Sequence, residues 1–315
     1  MPLRVAIQMD PLEGIGIAGD STFAIMLRGQ ALGHKLYHYL ADELTYDGGR
    51  VYAAAHEVTV QPVPGDHFRF GEFKSLDLGR DVDVVLMRQD PPFDLGYITA
   101  SHLLERVQSE TLVVNDPAAV RNAPEKVWVL DFAKYMPATM ITRSLGAARE
   151  FVQKHGDAVL KPLHGNAGKA VFKIGADAAN LAALMEMFNA TYREPHMLQA
   201  FVPEVTDGDK RIVLVDGEVA GAINRRPGKG EIRSNLAAGG SAEAAELTET
   251  EREICDALAP ELKRRGLLFV GIDVIGGKWL TEINVTSPTG IVAIDKFNGT
   301  DTPGLIWSAI ERKLG

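Results

Sequence analysis

The sequence predicts an α/β domain with a parallel sheet at its amino end, followed by two α+β domains. Three observations carry that expectation. Short apolar runs alternate with helix-length stretches through the first third of the chain, the pattern of parallel strands joined by crossover helices. Two turn dipeptides, Asp216-Gly217 and Gly276-Gly277, each separate two apolar runs, as in antiparallel hairpins. The 315 residues exceed what a single hydrophobic core usually organises. The domains read as 1–121, 122–200 and 201–315.

Leu3–Gln8 is a short apolar run stopped by Asp10-Pro11, hence a buried strand. Ser21 can cap a helix reaching Leu32, and strands follow at His34–Leu40, Val82–Met87 and Thr111–Val114, with a helix at Tyr97–Gln108. Such strands belong in a parallel sheet covered on both faces. Pro117, Pro124 and Pro137 punctuate a connection that includes a short helix, Glu125–Lys134. The middle domain reads as helix Ser144–His155, strand Ala158–Lys161, loop Pro162–Lys169, strand Ala170–Ile174, helix Ala178–Tyr192 and strand Met197–Phe201. The last domain begins with strands Arg211–Val215 and Val219–Ile223 and a glycine-rich charged stretch, Arg225–Ser241. Helix Thr248–Arg265, strands Leu267–Ile275 and Trp279–Val285, and helix Thr302–Leu314 complete it.

Composition narrows the function. A net charge of −9 argues against general nucleic-acid binding, which needs a basic face. The single cysteine, Cys255, cannot form an internal disulfide, and its amphipathic surroundings suit an inert helix residue. The amino terminus enters a strand at once, without a basic and apolar leader of about 20 residues. No apolar run approaches the ~18 residues of a membrane span. A cytoplasmic protein without membrane partners is expected.

Three stretches can carry chemistry. Glu282 and Asn284 share one face of a strand, because side chains alternate, and Asp273 lies in an apolar run on the neighbouring strand. Two carboxylates and an amide oxygen so placed suit a hard cation such as Mg2+, or else pair with basic side chains. Lys161 ends a buried strand immediately before a loop containing Gly165 and Gly168, and loop amides with a lysine can cradle phosphate; Lys126 is a second candidate. Arg225–Ser241 combines glycines with Arg225, Arg226, Lys229 and Arg233, the makings of an anion-binding lid or of a solvated loop. Gly14-Ile15-Gly16-Ile17-Ala18-Gly19 matches the dinucleotide fingerprint, with Asp42 downstream, but Asp10-Pro11-Leu12-Glu13 separates it from the strand end.

Taken together, an ordered set of blocks resembles the bacterial glutathione synthetases of the ATP-grasp superfamily. The blocks are Met9-Asp10-Pro11, Asp20–Ala24, Met87–Asp94, Asn115-Asp116-Pro117 and Glu125-Lys126, then Leu160-Lys161-Pro162, Asp207–Arg211, Asn235–Gly240, Gly271-Ile272-Asp273 and Leu280–Pro288. They span nearly the whole chain. The resemblance implies a three-domain ATP-grasp architecture: a pre-ATP-grasp domain, a central lid domain and a carboxyl-terminal catalytic domain. It implies ATP and two Mg2+ (or Mn2+) ions held by Asp273, Glu282 and Asn284. Lys126, Lys161, Gly165, Gly168 and Asp209 would serve the nucleotide, and the strand around Gln199 and Phe201 its adenine. Arg211 would face the reacting phosphate, with Arg225 and Arg233 in the mobile lid. Ser287, Thr289 and Asn235 would meet the dipeptide.

The activity so implied is ATP-dependent joining of γ-glutamylcysteine to glycine through an acyl phosphate, by a homo-oligomer. A ligase acting on another peptide or amine, a non-catalytic ATP-binding module and an NAD-dependent oxidoreductase are the alternatives. The sequence departs from the family pattern at His164, Ala167 and Gln89, which bears on phosphate and substrate contacts.

Overall fold

The computed structural model describes residues 1–166, 168–228, 231, 233, 234 and 239–315. The first part of the chain runs β1 (Arg4–Gln8), α1 (Ser21–Ala31), β2 (Lys35–Tyr39), β3 (Leu44–Asp47), β4 (Arg50–Val60), β5 (Phe68–Asp77), β6 (Val84–Met87), α2 (Leu95–Glu105) and β7 (Leu112–Val114). Strands β2, β1, β6 and β7 lie parallel in that order, as the alternation of strands and helices predicts. The sheet is nonetheless mixed: β3, β4 and β5 extend it antiparallel beyond β2. These strands escape the sequence reading because they bury at most one face, and β5 is almost wholly exposed.

The glycines of the dinucleotide-like segment lie in the loop between β1 and α1. A Cβ placed on Gly14, Gly16 or Gly19 would meet nothing within 4 Å, so none is required by a close backbone approach. Asp20 caps α1 by accepting from the Phe23 amide. Neither the tight turn nor the helix packing of a dinucleotide site is made here, and that reading is abandoned.

The middle part runs α3 (Pro117–Arg121), α4 (Glu125–Trp128), β8 (Thr139–Thr142), α5 (Leu145–His155), β9 (Ala158–Pro162), β10 (Phe172–Ile174), α6 (Leu181–Thr191) and β11 (His196–Ala200). Its sheet has the order β10-β9-β11-β8, all antiparallel. The last part runs β12 (Asp209–Val215), β13 (Glu218–Arg226), β14 (Ser241–Ala244), α7 (Glu249–Arg265), β15 (Phe269–Ile275), β16 (Trp279–Asn284), α8 (Ile291–Asn298) and α9 (Thr302–Leu314), with sheet order β14-β13-β12-β15-β16. Asp216 and Gly217 both adopt positive φ, 51° and 77°, the geometry that makes Asp-Gly a hairpin turn. Thr248 and Glu251 form a capping box at the start of α7. Helix α8 was not anticipated. Cys255 is buried in α7, where burial pushes its thiol up to about 12, which suits an inert residue. Among the described residues, no helix is long and apolar enough to cross a membrane.

The first and third sheets share their cores. Ala6, Val85 and Val113 cluster with Ile212, Ile272 and Ile283, while Ile7 and Phe23 cluster with Val213, Phe269 and Trp307. The middle sheet has a core of its own, including Phe151, Leu160, Met185 and Phe188. It therefore packs as a separate unit beside a two-sheet body. Asn115, just after β7, fastens that body: its amide donates to the carbonyls of Phe269 (2.7 Å) and Val285 (2.9 Å) and accepts from the Phe269 N–H (2.8 Å).

Replacing Asn115 by alanine strands three buried backbone groups and is expected to cost about 3 kcal/mol. Urea unfolding should show a lower midpoint at unchanged slope; a loss below about 1 kcal/mol would mean that these bonds do not hold the joint.

Candidate active site

Strand register assembles the site. Arg211 of β12 stands opposite Asp273 of β15, which stands opposite Glu282 of β16. Asn284 is two residues further along β16, and Asp209, two before Arg211, stands opposite Arg225 of β13. Residues opposite one another or two apart share a face, so these six side chains populate one face of the third sheet. Four of them come from runs read as strands in the sequence, and the bulge beside Asp273 does not break the row.

Asp273 is fully enclosed. Arg211 grips it through two bonds, Nε to Oδ1 at 2.6 Å and Nη2 to Oδ2 at 3.1 Å, and Arg225 Nη2 lies 2.9 Å from Oδ1. Gly271 makes room for this grip, since a Cβ there would come within 3.2 Å of the Arg211 side chain. Burial pushes the Asp273 carboxyl up, but the two guanidiniums more than reverse this and hold it well below the ordinary carboxylate range. Arg225 also pairs with Asp209 (2.7 Å), and the Ser234 hydroxyl donates to the same Asp209 oxygen (2.8 Å). The other Asp209 oxygen is buried without a partner among the described residues, and burial pushes its carboxyl up.

Glu282 faces two lysines from different units. Lys126 of α4 and Lys161 of β9 place their ammonium groups 3.4 and 3.6 Å from its Oε1. Lys126 also donates to the Gly165 carbonyl at 2.6 Å, which ties the middle unit's loop to α4. Burial lowers the Lys161 pKa, with nearby Lys126 acting the same way and Glu282 opposing.

Two cavities flank this face. The first, of about 880 Å³, has a polar end with Lys126, Lys161, Glu282 and Asp273, where Gly165 and Gly168 also line it. Its other end is largely apolar, with Val159, Phe201, Val202 and Ile275 beside Gln199. Gln199 is buried and donates to Thr139 (3.0 Å), and the Phe201 amide is spent on the Asp157 carbonyl (2.9 Å), so Phe201 offers surface rather than that donor. Asp209, Arg233 and Ser234 line the same cavity. The second cavity, of about 930 Å³, is lined by Arg211, Arg225, Asn284, Ser287 and Thr289, with Asp90 and Glu125 on its walls. Glu282 and Asn166 line both cavities, so the two meet there.

One expectation needs correcting. Arg225 is not part of a mobile lid: it ends β13, is buried, and is held by Asp209 and Asp273. Arg233 does lie in the loop beyond, paired with Glu231 at 2.9 Å. Asn235, Lys229 and Ala167 lie outside the described residues. His164 stacks on Phe93 of the first domain, ring centroids 5.7 Å apart, and so bridges the loop after β9 to the segment after β6. Gln89 is buried against Gln8 and lines neither cavity. The sequence reading gave no role to Glu125, Asn166 or Asp90. The available signals were the adjacency of Glu125 to Lys126, the place of Asn166 in the loop Pro162–Lys169 and that of Asp90 in the block Met87–Asp94.

A divalent cation fits this site. The Asn284 amide nitrogen is turned to the Gly271 carbonyl and Asp273, leaving its oxygen for a ligand, and Glu282 stands at the junction of the cavities. Among the described residues there is no cluster of three acidic, His or Cys side chains able to cage a metal. That suits Mg2+, which takes one or two carboxylates and completes its shell with water and substrate phosphates.

Comparison with known proteins accords with this geometry. Residues 3–121 match the prokaryotic glutathione synthetase N-terminal domain and residues 125–299 the prokaryotic glutathione synthetase ATP-grasp domain. Proteins named glutathione synthetase from Rhodopseudomonas palustris and Bradyrhizobium diazoefficiens are each 54% identical over 313 residues, covering 99% of both chains. In architecture the chain resembles D-cycloserine synthetase DcsG (TM-score 0.70, 18% identity, 99% of this chain and 100% of that one). It also resembles the ATP-grasp ligase PsnB complexed with minimal precursor (TM-score 0.65, 19% identity, 99% of each). At such identity these two speak for the fold alone, which is the ATP-grasp fold expected from the sequence. With matches of this extent and identity along its whole length, the chain belongs to the prokaryotic glutathione synthetase family.

Proposed function

We propose that this chain joins γ-glutamylcysteine to glycine, converting ATP to ADP and phosphate. The observation that carries the reading is the pair of cavities meeting at Glu282 and Asn166 over one row of charged side chains. One cavity has the form a nucleotide requires, with an apolar end for a base and lysines for phosphates. The other has arginines and hydroxyls, as a peptide carboxylate requires. In the proposal the domains are 1–121, 122–200 and 201–315, the chain works as a cytoplasmic homo-oligomer, and two metal ions act. The exposed Phe70 and Phe73 on edge strand β5 favour association.

A carboxylate does not acylate an amine at neutral pH because its oxygen is a poor leaving group. Phosphorylation supplies a good one, and phosphoryl transfer depends chiefly on positioning and charge neutralisation. Lys126 and Lys161 hold the phosphates at the polar end of the first cavity. Arg211, between that end and Thr289, meets the transferring group and orients the peptide carboxylate. Glu282, Asn284 and Asp273 would hold the metal, which would supply charge neutralisation at phosphate oxygens. Asp273 would be available to it only with Arg211 and Arg225 engaged elsewhere. Ser287 and Thr289 line the peptide's path, and Asn235 is kept as a further peptide contact. Arg233 and Ser234 close the nucleotide side, with Ser234 anchored on Asp209, and limit the access of water to the acyl phosphate.

Purified enzyme should release ADP only when γ-glutamylcysteine and an amine are both present, with glycine the best amine. Equal turnover on D-alanine alone would place the chain on another ligase branch. Preference for another dipeptide would select the other-peptide alternative.

Arg233→Ala should lower kcat by about 10²–10³ if Arg233 leaves Glu231 to act as one charge-stabilising donor. A kcat within twofold of wild type would leave Arg233 as a surface residue paired with Glu231.

A further inference from the structure

The charges around the second cavity are unevenly distributed. Asp273 is answered by Arg211 and Arg225, and Glu282 by two lysines. Two carboxylates remain on the walls, Glu125 and Asp90. Glu125 accepts from the Thr286 hydroxyl (2.7 Å) and adjoins Lys126, at the reacting end. Asp90 comes from the other sheet, just beyond the end of β6, and faces the cavity from the first domain.

Asp90 is exposed, and its backbone is anchored on the first domain. Its backbone amide donates to Asp10 Oδ2 at 2.7 Å, and Pro91 and Pro92 fix the chain that follows. Among the described residues its carboxylate forms no ion pair. The neighbouring Arg88 guanidinium is turned to the Thr22 hydroxyl (3.0 Å) and the Pro288 carbonyl (2.9 Å) instead. Asp10 and Asp20, of like sign, stand nearby, and the Ser287 hydroxyl is beside it. Asp90 is solvent-exposed, so water answers its carboxylate, and the cation of a ligand in the second cavity can take that place.

The proposed donor brings such a charge at the right end. Its reacting carboxylate belongs at Glu282, Asn284 and Arg211. A γ-linkage leaves the glutamyl α-carbon, with a free ammonium, at the far end of the molecule. We propose that Asp90 receives the α-ammonium of the γ-glutamyl donor and is thereby a specificity residue for that head group. This rests on the proposed function. An ion pair and hydrogen bond to a carboxylate that the bound donor covers discriminates by about 10- to 100-fold against a donor lacking the ammonium.

The test compares γ-glutamylcysteine with glutarylcysteine, which keeps both carboxylates and lacks only the ammonium, in wild-type enzyme and in Asp90→Asn. Wild type should prefer γ-glutamylcysteine in kcat/KM by about 10- to 100-fold. In Asp90→Asn the preference should shrink to a few-fold, mostly by loss on γ-glutamylcysteine, with KM for ATP and glycine within twofold. Asp90→Glu, which keeps the charge, should recover part of the preference, a pattern that general damage to the fold does not produce. An unchanged preference in Asp90→Asn, or none in wild type, overturns the assignment of Asp90 while leaving the ligase reading intact. Failure of wild type to use γ-glutamylcysteine overturns both.

Discussion

A carboxylate buried in the middle of a sheet is tolerated only when its charge is answered, and Asp273 is answered twice. Arg211 on one neighbouring strand and Arg225 on the next but one surround it, and Arg225 in turn satisfies Asp209. The rest of the site follows from this arrangement. Gly271 lacks a side chain where the Arg211 guanidinium passes, and Ser234 is fixed because Asp209 has an oxygen to offer it. Glu282 and Asn284 lie beside the arginines because register across β15 and β16 puts them there. Removing one member of such a network leaves a partner uncompensated, which costs far more than the pair contributes.

The same arrangement prepares the site for its ligand. Every carboxylate that could hold a metal is shared with basic groups that could hold phosphate: Glu282 with Lys126 and Lys161, Asp273 with Arg211 and Arg225. In the proposed function, a polyphosphate entering the first cavity would compete for the cations and free the carboxylates. Lys161 belongs to the middle sheet, whose core is separate from the two-sheet body. Lys161 therefore reaches Glu282 from a unit whose core is distinct from the one beneath Asp273.

Much of this was legible in the sequence where the signal was local. Alternation along Trp279–Val285 put Glu282 and Asn284 on one face, Asp216-Gly217 marked a hairpin whose positive φ angles the structure reproduces, and the strand-end position of Lys161 pointed to the cavity loop. What failed to show was nonlocal. The pairing of Arg225 with Asp209 and Asp273 depends on register across three strands, so a basic residue beside a glycine-rich stretch passed for part of a lid. Strands β3 to β5 were missed because half-exposed strands lack the apolar runs that mark buried ones. Asn115 and Asp90 act on partners far away in the chain, the Phe269 backbone and the second cavity, which no spacing records.

The central claim is that the basic groups of the site restrain its carboxylates until phosphate takes them. Nucleotide affinity of wild type and Glu282→Gln, each measured with excess Mg2+ and again with EDTA, tests it most directly. Removing the Glu282 charge frees Lys126 and Lys161 and abolishes a repulsion, so metal-free nucleotide should bind Glu282→Gln several-fold more tightly than wild type. With Mg2+ the order should invert, because the variant lacks the carboxylate proposed to hold the metal. Weaker binding by Glu282→Gln under both conditions, or equal binding under both, would contradict the account.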